Sequence, residues 1–90
     1  MNNGRRKWIN EQYTKLEDLL TQLEEVKSTL EDIKSEEEDT YEGMPDNLKE
    51  SERGQTSQNA IDELDNAISS LDDAIDNLNN SKDNLESAVE

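Results

Sequence analysis

The chain has no cysteine, no histidine and no phenylalanine in 90 residues. Without cysteine there is no disulfide framework and no thiolate metal site. Without histidine as well, the usual zinc ligands, the commonest general base and any ordinary catalytic triad are missing. With apolar residues at 29% and no Phe, a globular core of ordinary width cannot be built. One proline and three glycines leave little punctuation, so elements are few and long. No run of 18 apolar residues exists, so no segment is expected to span a membrane. Residues 1–20 lack an apolar signal core, and the expected location is the cytoplasm.

Charge is plentiful and one-sided. The net charge is −15, and residues 8–90 hold all 24 acids against 6 bases, giving −18. Direct binding to nucleic acid or to an anionic membrane is therefore not expected, whereas a basic protein surface is a suitable partner. A charged fraction of 37% also raises disorder as a competitor, and regular apolar spacing argues against it.

In the first half Ile9, Leu16, Leu23 and Leu30 recur every seven residues. Gln12, Leu19, Val26 and Ile33 form an alternate set, and Tyr13 and Leu20 widen the stripe on one side. In the second half Ile61, Ile68, Ile75, Lys82 and Val89 form one set, and Leu64, Leu71, Leu78 and Leu85 the other. Ala60, Ala67, Ala74, Ser81 and Ala88 flank them. These heptads predict two long helices, over about 4–41 and 51–89. A small residue once per heptad lets a neighbouring helix approach closely, and a stripe three positions wide suits a bundle.

Between them, Gly43 suits a helix end, Pro45 can open a short helical turn, and Ser51 suits the N-cap of the second helix. A compact turn over 42–50 is expected, with a short helix at 45–48 and Met44 and Leu48 plugging the core. The fold class is thus all-α: residues 1–90 are expected to form a single long antiparallel two-helix hairpin, coiled-coil-like, dimerising into a four-helix bundle, with a monomer that docks onto a partner as the alternative.

A turn centred near residues 46–47 pairs positions whose numbers add to about 93. Ile33 then meets Ala60, Leu23 meets Leu71, and Leu16 meets Leu78. Gln12 and Tyr13 meet Ser81 and Lys82, so the polar residues of the two seams form one register layer of Gln12, Ser81 and Lys82. The bland alternative is a Lys82 that snorkels to water. Trp8, Tyr13 and Leu20 are expected to stay partly exposed; with Met44 and Leu48 they are the candidate partner-binding residues.

Chemistry is scarce. Asp72, Asp73 and Asp76, and Glu36 to Asp39, are acidic clusters without the loop or glycine of a calcium site. No phosphate-binding loop is present. No catalytic residue, metal ligand or cofactor is expected, and the chain is read as non-enzymatic.

"YEGMPDNLKESERG", Tyr41 to Gly54, is the most specific stretch. It resembles small acidic helical-hairpin proteins of bacteriophages and mobile elements that carry an "NMPENLxxSERG" turn. The likeness rests on Met44, Pro45, Asn47, Leu48, Ser51, Glu52, Arg53 and Gly54, with Gly43 and Asp46 as departures. It implies an architecture and an origin, not an activity. Two functions are compatible with these features: a self-associating interaction or structural module, and an acidic DNA mimic that inhibits a nucleic-acid-binding host protein.

Overall fold

A computed structural model describes residues 1–90. It contains three helices and no strand: α1 (Asn3–Glu42), α2 (Asp46–Lys49) and α3 (Glu52–Val89). α1 opens with Asn2, whose Oδ1 accepts the Arg5 amide at 2.8 Å. That bond satisfies one of the amides every helix start leaves unpaired. α1 ends where the Gly43 amide reaches Asp39 O at 3.0 Å and the Met44 amide reaches Tyr41 O at 3.1 Å. No glycine takes a positive φ, so Gly43 ends the helix without the left-handed turn such glycines usually supply.

The chain forms two compact units, Met1–Glu25 with Leu71–Glu90 and Val26–Ser70, and α1 and α3 contribute to both.

In the first unit α1 and α3 pair antiparallel. The Arg6 Nε donates to Val89 O at 3.2 Å, and the Lys82 ammonium lies 5.1 Å from the centre of the Tyr13 ring. The basic start of α1 therefore closes the end of α3 through a carbonyl left free by the helix terminus, where positive charge is favoured. Leu16, Leu23, Leu71 and Leu78, expected from the sequence to face one another, are all half-buried in this unit.

One expectation is reversed. Leu20, expected to stay partly exposed, is only 6% exposed and is one of two buried apolar side chains in the chain. Leu19, placed in the seam by sequence, is 48% exposed. The Leu16–Leu23 row can be flanked on either side, by Tyr13 and Leu20 or by Gln12 and Leu19. α3 packs on the Tyr13–Leu20 side.

The second unit holds the turn. Pro45 caps α2 with φ −61° and ψ 154°, the extended geometry expected before a first helical turn, and its carbonyl accepts the amides of Leu48 and Lys49. α2 thus starts one residue later than the sequence suggested. Ser51 sits just before α3, and its carbonyl accepts the Gln55 amide at 3.0 Å. Its hydroxyl turns backward and donates to Leu48 O at 2.5 Å. Gly54 is buried because the turn folds onto it. A Cβ there would meet the Lys49 carbonyl and lie 2.5 Å from Leu48 O, closer than packed atoms allow. Met44 and Leu48 are half-buried, partial plugs rather than sealed ones.

Further along this unit the Ser57 hydroxyl, 5% exposed, donates to Glu37 Oε1 at 2.6 Å. Lys34 reaches Asp65 at 2.5 Å. As in the first unit, the seam row of α1 lies on the Leu20 side: Lys27, Lys34 and Tyr41 are half-buried, while Val26 and Ile33 are exposed.

Candidate interaction surface

The two helices are seamed by residues spaced seven apart: Tyr13, Leu20, Lys27, Lys34 and Tyr41 on α1, and Ile61, Ile68, Ile75, Lys82 and Val89 on α3. In an antiparallel pair, the residues four after each of these lie along one edge, and the residues one before lie along the other. The two edges differ in character.

The first edge is acidic. It carries Glu17, Glu24, Glu31 and Glu38 on α1 and Asp65, Asp72 and Glu86 on α3. Every seam lysine reaches toward it. In the first unit Lys82 Nζ is 3.9 Å from Glu17. In the second, Lys27 is 3.9 Å from Glu31 and Lys34 is 3.7 Å from Glu38, besides its contact with Asp65. The Asp65 hydrogen bond, aided by the negative field of Asp65 and Glu38, holds the Lys34 ammonium pKa above its usual 10.5 against a smaller desolvation effect. Lysine is tolerable in the seam because its stem covers apolar surface while its head reaches water and carboxylates.

The second edge is apolar and uncovered. In the first unit it carries Leu19, and beside it Trp8, 68% exposed. Arg5, Trp8, Ile9 and Gln12 line a shallow apolar depression there. In the second unit it carries Val26 at 49% and Ile33 at 45% exposure. The α3 side is the alanine row: Ala60, Ala67 and Ala88 are exposed and only Ala74 is half-buried. The alanines therefore do not tighten the contact between α1 and α3; they form a low shelf beside the leucine, valine and isoleucine row. In the second unit Glu37, Thr40, Met44, Glu52, Arg53 and Thr56 line an open groove, with Ser57 at its base.

The chain matches no protein-family model, no curated protein and no solved structure.

Of the candidate partner-binding residues, Trp8 is exposed in the first unit and Met44 lines the groove of the second. Tyr13 is half-buried under Lys82, Leu20 is core, and Leu48 is half-buried in the turn. The polar layer is built from Tyr13, Lys82 and Glu17. Gln12 and Ser81 are both exposed, on the apolar edge. Sequence reasoning missed Leu19, Val26 and Ile33 as surface residues. The available signal was the row Tyr13, Leu20, Lys27, Lys34, Tyr41, whose lysines are each followed four residues later by a glutamate. The acidic clusters singled out in sequence gather no metal site: no group of three or more potential ligands is arranged to hold an ion. No helix is long and apolar enough to cross a membrane.

Proposed function

We propose that the protein is a non-enzymatic interaction module that self-associates through its apolar edge, two hairpins forming a four-helix bundle. The observation that carries this is the row Leu19, Val26 and Ile33, each close to half exposed beside an alanine shelf. Surface area supports the same reading. The chain exposes 6502 Å², whereas a compact monomer of 10.3 kDa exposes about 5,400 Å². The excess, about 1,100 Å², is larger than the roughly 800 Å² that each partner of a standard interface buries. The likeness of the turn to phage and mobile-element hairpins makes an accessory protein of such an element the natural origin.

Mimicry of DNA draws on the net charge of −15 and a basic protein target. Against it, Glu17, Glu31, Glu38 and Asp65 each have a lysine within 4 Å, which dilutes the charge of the edge that would imitate phosphates. Light scattering in 0.05 M and 0.5 M salt separates the two readings. A mass near twice 10.3 kDa that persists at high salt supports self-association. A monomer at both salts that captures a basic DNA-binding protein only at low salt overturns it.

A further inference from the structure

We propose that the second copy docks with its turn beside the turn of the first, so that the Val26–Ile33 row on α1 of each copy packs on the Ala60–Ala67 shelf on α3 of the other. The inference rests on the self-association proposed above and specifies its geometry. It uses the unit Val26–Ser70 alone.

The first argument is shape. Within this unit α1 and α3 run antiparallel, tied by Ser57 to Glu37 and by Lys34 to Asp65. Leu30 and Leu64, half-buried, form the floor of the apolar face. Val26 and Ile33 stand on one side of that floor, each close to half exposed. Ala60 and Ala67, also exposed, stand on the other. A face with a high side and a low side fits a copy of itself turned half a circle about an axis along the helices. Valine and isoleucine then meet alanine, and large and small residues interdigitate. A copy turned end over end sets high side on high side instead. The helix spacing this imposes leaves a void between the facing alanines, which forfeit the contacts of close packing.

The second argument is spacing. Val26 and Ile33 are seven apart, and so are Ala60 and Ala67. With the turns together, α1 runs antiparallel to the partner's α3. Ile33 placed level with the partner's Ala60 therefore sets Val26 level with the partner's Ala67.

The third is charge. The centre of the face, Val26, Ile33, Ala60 and Ala67, carries none, as suits a chain of net charge −15 approaching its own copy. Around it stand Glu36, Glu37, Glu52, Arg53 and Glu63, with Glu37 already hydrogen-bonded to Ser57. In the proposed register Glu36 is level with the partner's Ser57, Glu52 with the partner's Tyr41, and Glu63 with the partner's Leu30, so none of these faces an acid. Arg53, which makes no ion pair in its own chain, is level with the partner's Thr40. That places it within about one turn of the partner's Glu36 and the partner's Glu37. End-over-end docking, with Ala60 on the partner's Ala67, sets Glu63 against the partner's Glu63, a like-charge contact that disfavours it.

The chain has no cysteine, so a single introduced one takes a unique spin label. Asn47→Cys, at an exposed turn position, is measured as the full-length dimer by dipolar spectroscopy. Turns side by side put the two labels within about 30 Å, the span of adjacent helices with their labels. End-over-end docking centred on the same face separates them by twice the stretch from the Val26–Ile33 row to residue 47, about 50 Å at 1.5 Å per residue. In addition, Ile33→Cys protein is mixed and oxidised with Ala60→Cys protein and, separately, with Val26→Cys protein. The expected result is the short label distance, with disulfide-linked heterodimers forming in the first mixture in preference to the second. A label distance near 50 Å, or the reverse preference in crosslinking, overturns this pairing while leaving self-association intact. Absence of any intermolecular distance together with a monomeric mass for the unlabelled protein overturns self-association itself, and this inference with it.

Discussion

Lys82 caps the ring of Tyr13, 5.1 Å from its centre, and reaches Glu17 at 3.9 Å. One residue from each helix thus interrupts the leucine seam at the same level, and the interruption is satisfied on both sides. Such a layer fixes register at some cost in stability. Replacing Lys82 with leucine is expected to raise stability by about 1–2 kcal/mol through added apolar burial, read as a higher urea midpoint at fixed protein concentration. The same change should loosen register. Cysteines at 16 and 78, next to the layer, should crosslink within a chain while Tyr13 and Lys82 are in place, and less selectively against mismatched pairs in Lys82→Leu.

Leu19 and Leu20 are neighbours in sequence with opposite roles. Leu20→Ala is expected to cost about 2–4 kcal/mol, the range for a buried leucine. Leu19→Ala should cost little in an isolated hairpin and act on the concentration-dependent part of stability alone. Melting curves at two protein concentrations separate the effects, and equal intrinsic costs would contradict the assignment of edge and core.

Gly54 tests the turn. Alanine is the better helix former by about 1 kcal/mol, yet Gly54→Ala must push the Leu48 and Lys49 carbonyls aside. A net loss of about 1–3 kcal/mol is expected, as for overpacked sites. Gly43→Ala meets nothing nearer than 3.4 Å and should stay within about 0.5 kcal/mol of wild type. Similar values for the two glycines, by chemical denaturation, would remove the steric reading of the motif.

The two long helices and their packing together were legible in the sequence because leucine and isoleucine recur every seven residues on both; Ile33 and Ala60, expected to meet across the seam, are both exposed. The choice of edge was not. The Ile9–Leu30 row carries apolar neighbours on both sides, Tyr13 and Leu20 on one and Leu19, Val26 and Ile33 on the other, and periodicity favours the second. The structure puts Lys27 and Lys34 beside the seam, an arrangement apolarity alone ranks second, and supplies both with carboxylates. Gly54 was legible as a helical glycine of some cost; its cause is the folded-back turn, a contact between residues five and six apart that no helical spacing announces.

The pH response follows from two sources. The raised Lys34 pKa, set first by the Asp65 hydrogen bond, adds stability that is fully present below the unfolded value of 10.5 and is lost as pH rises through the higher folded value. Loss of helix beginning above about pH 10.5 should therefore shrink in Lys34→Met. Toward acid, the self-repulsion of a −15 chain fades. Circular dichroism in low salt is expected to show at least as much helix at about pH 4.5 as at about pH 8, with poorer solubility near the isoelectric point of 4.1. Marked helix loss at the lower pH would show that ionised carboxylates hold the fold.

Sedimentation equilibrium of three proteins side by side decides whether the apolar edge self-associates: wild type, Val26→Glu with Ile33→Glu on the apolar edge, and Glu24→Lys with Glu31→Lys on the acidic edge. A wild-type mass near twice 10.3 kDa, a monomer of unchanged helicity for the apolar-edge variant, and a dimer for the acidic-edge variant are expected. A monomeric wild type at high concentration, or an apolar-edge variant that still dimerises while the acidic-edge variant falls apart, would contradict self-association through that edge.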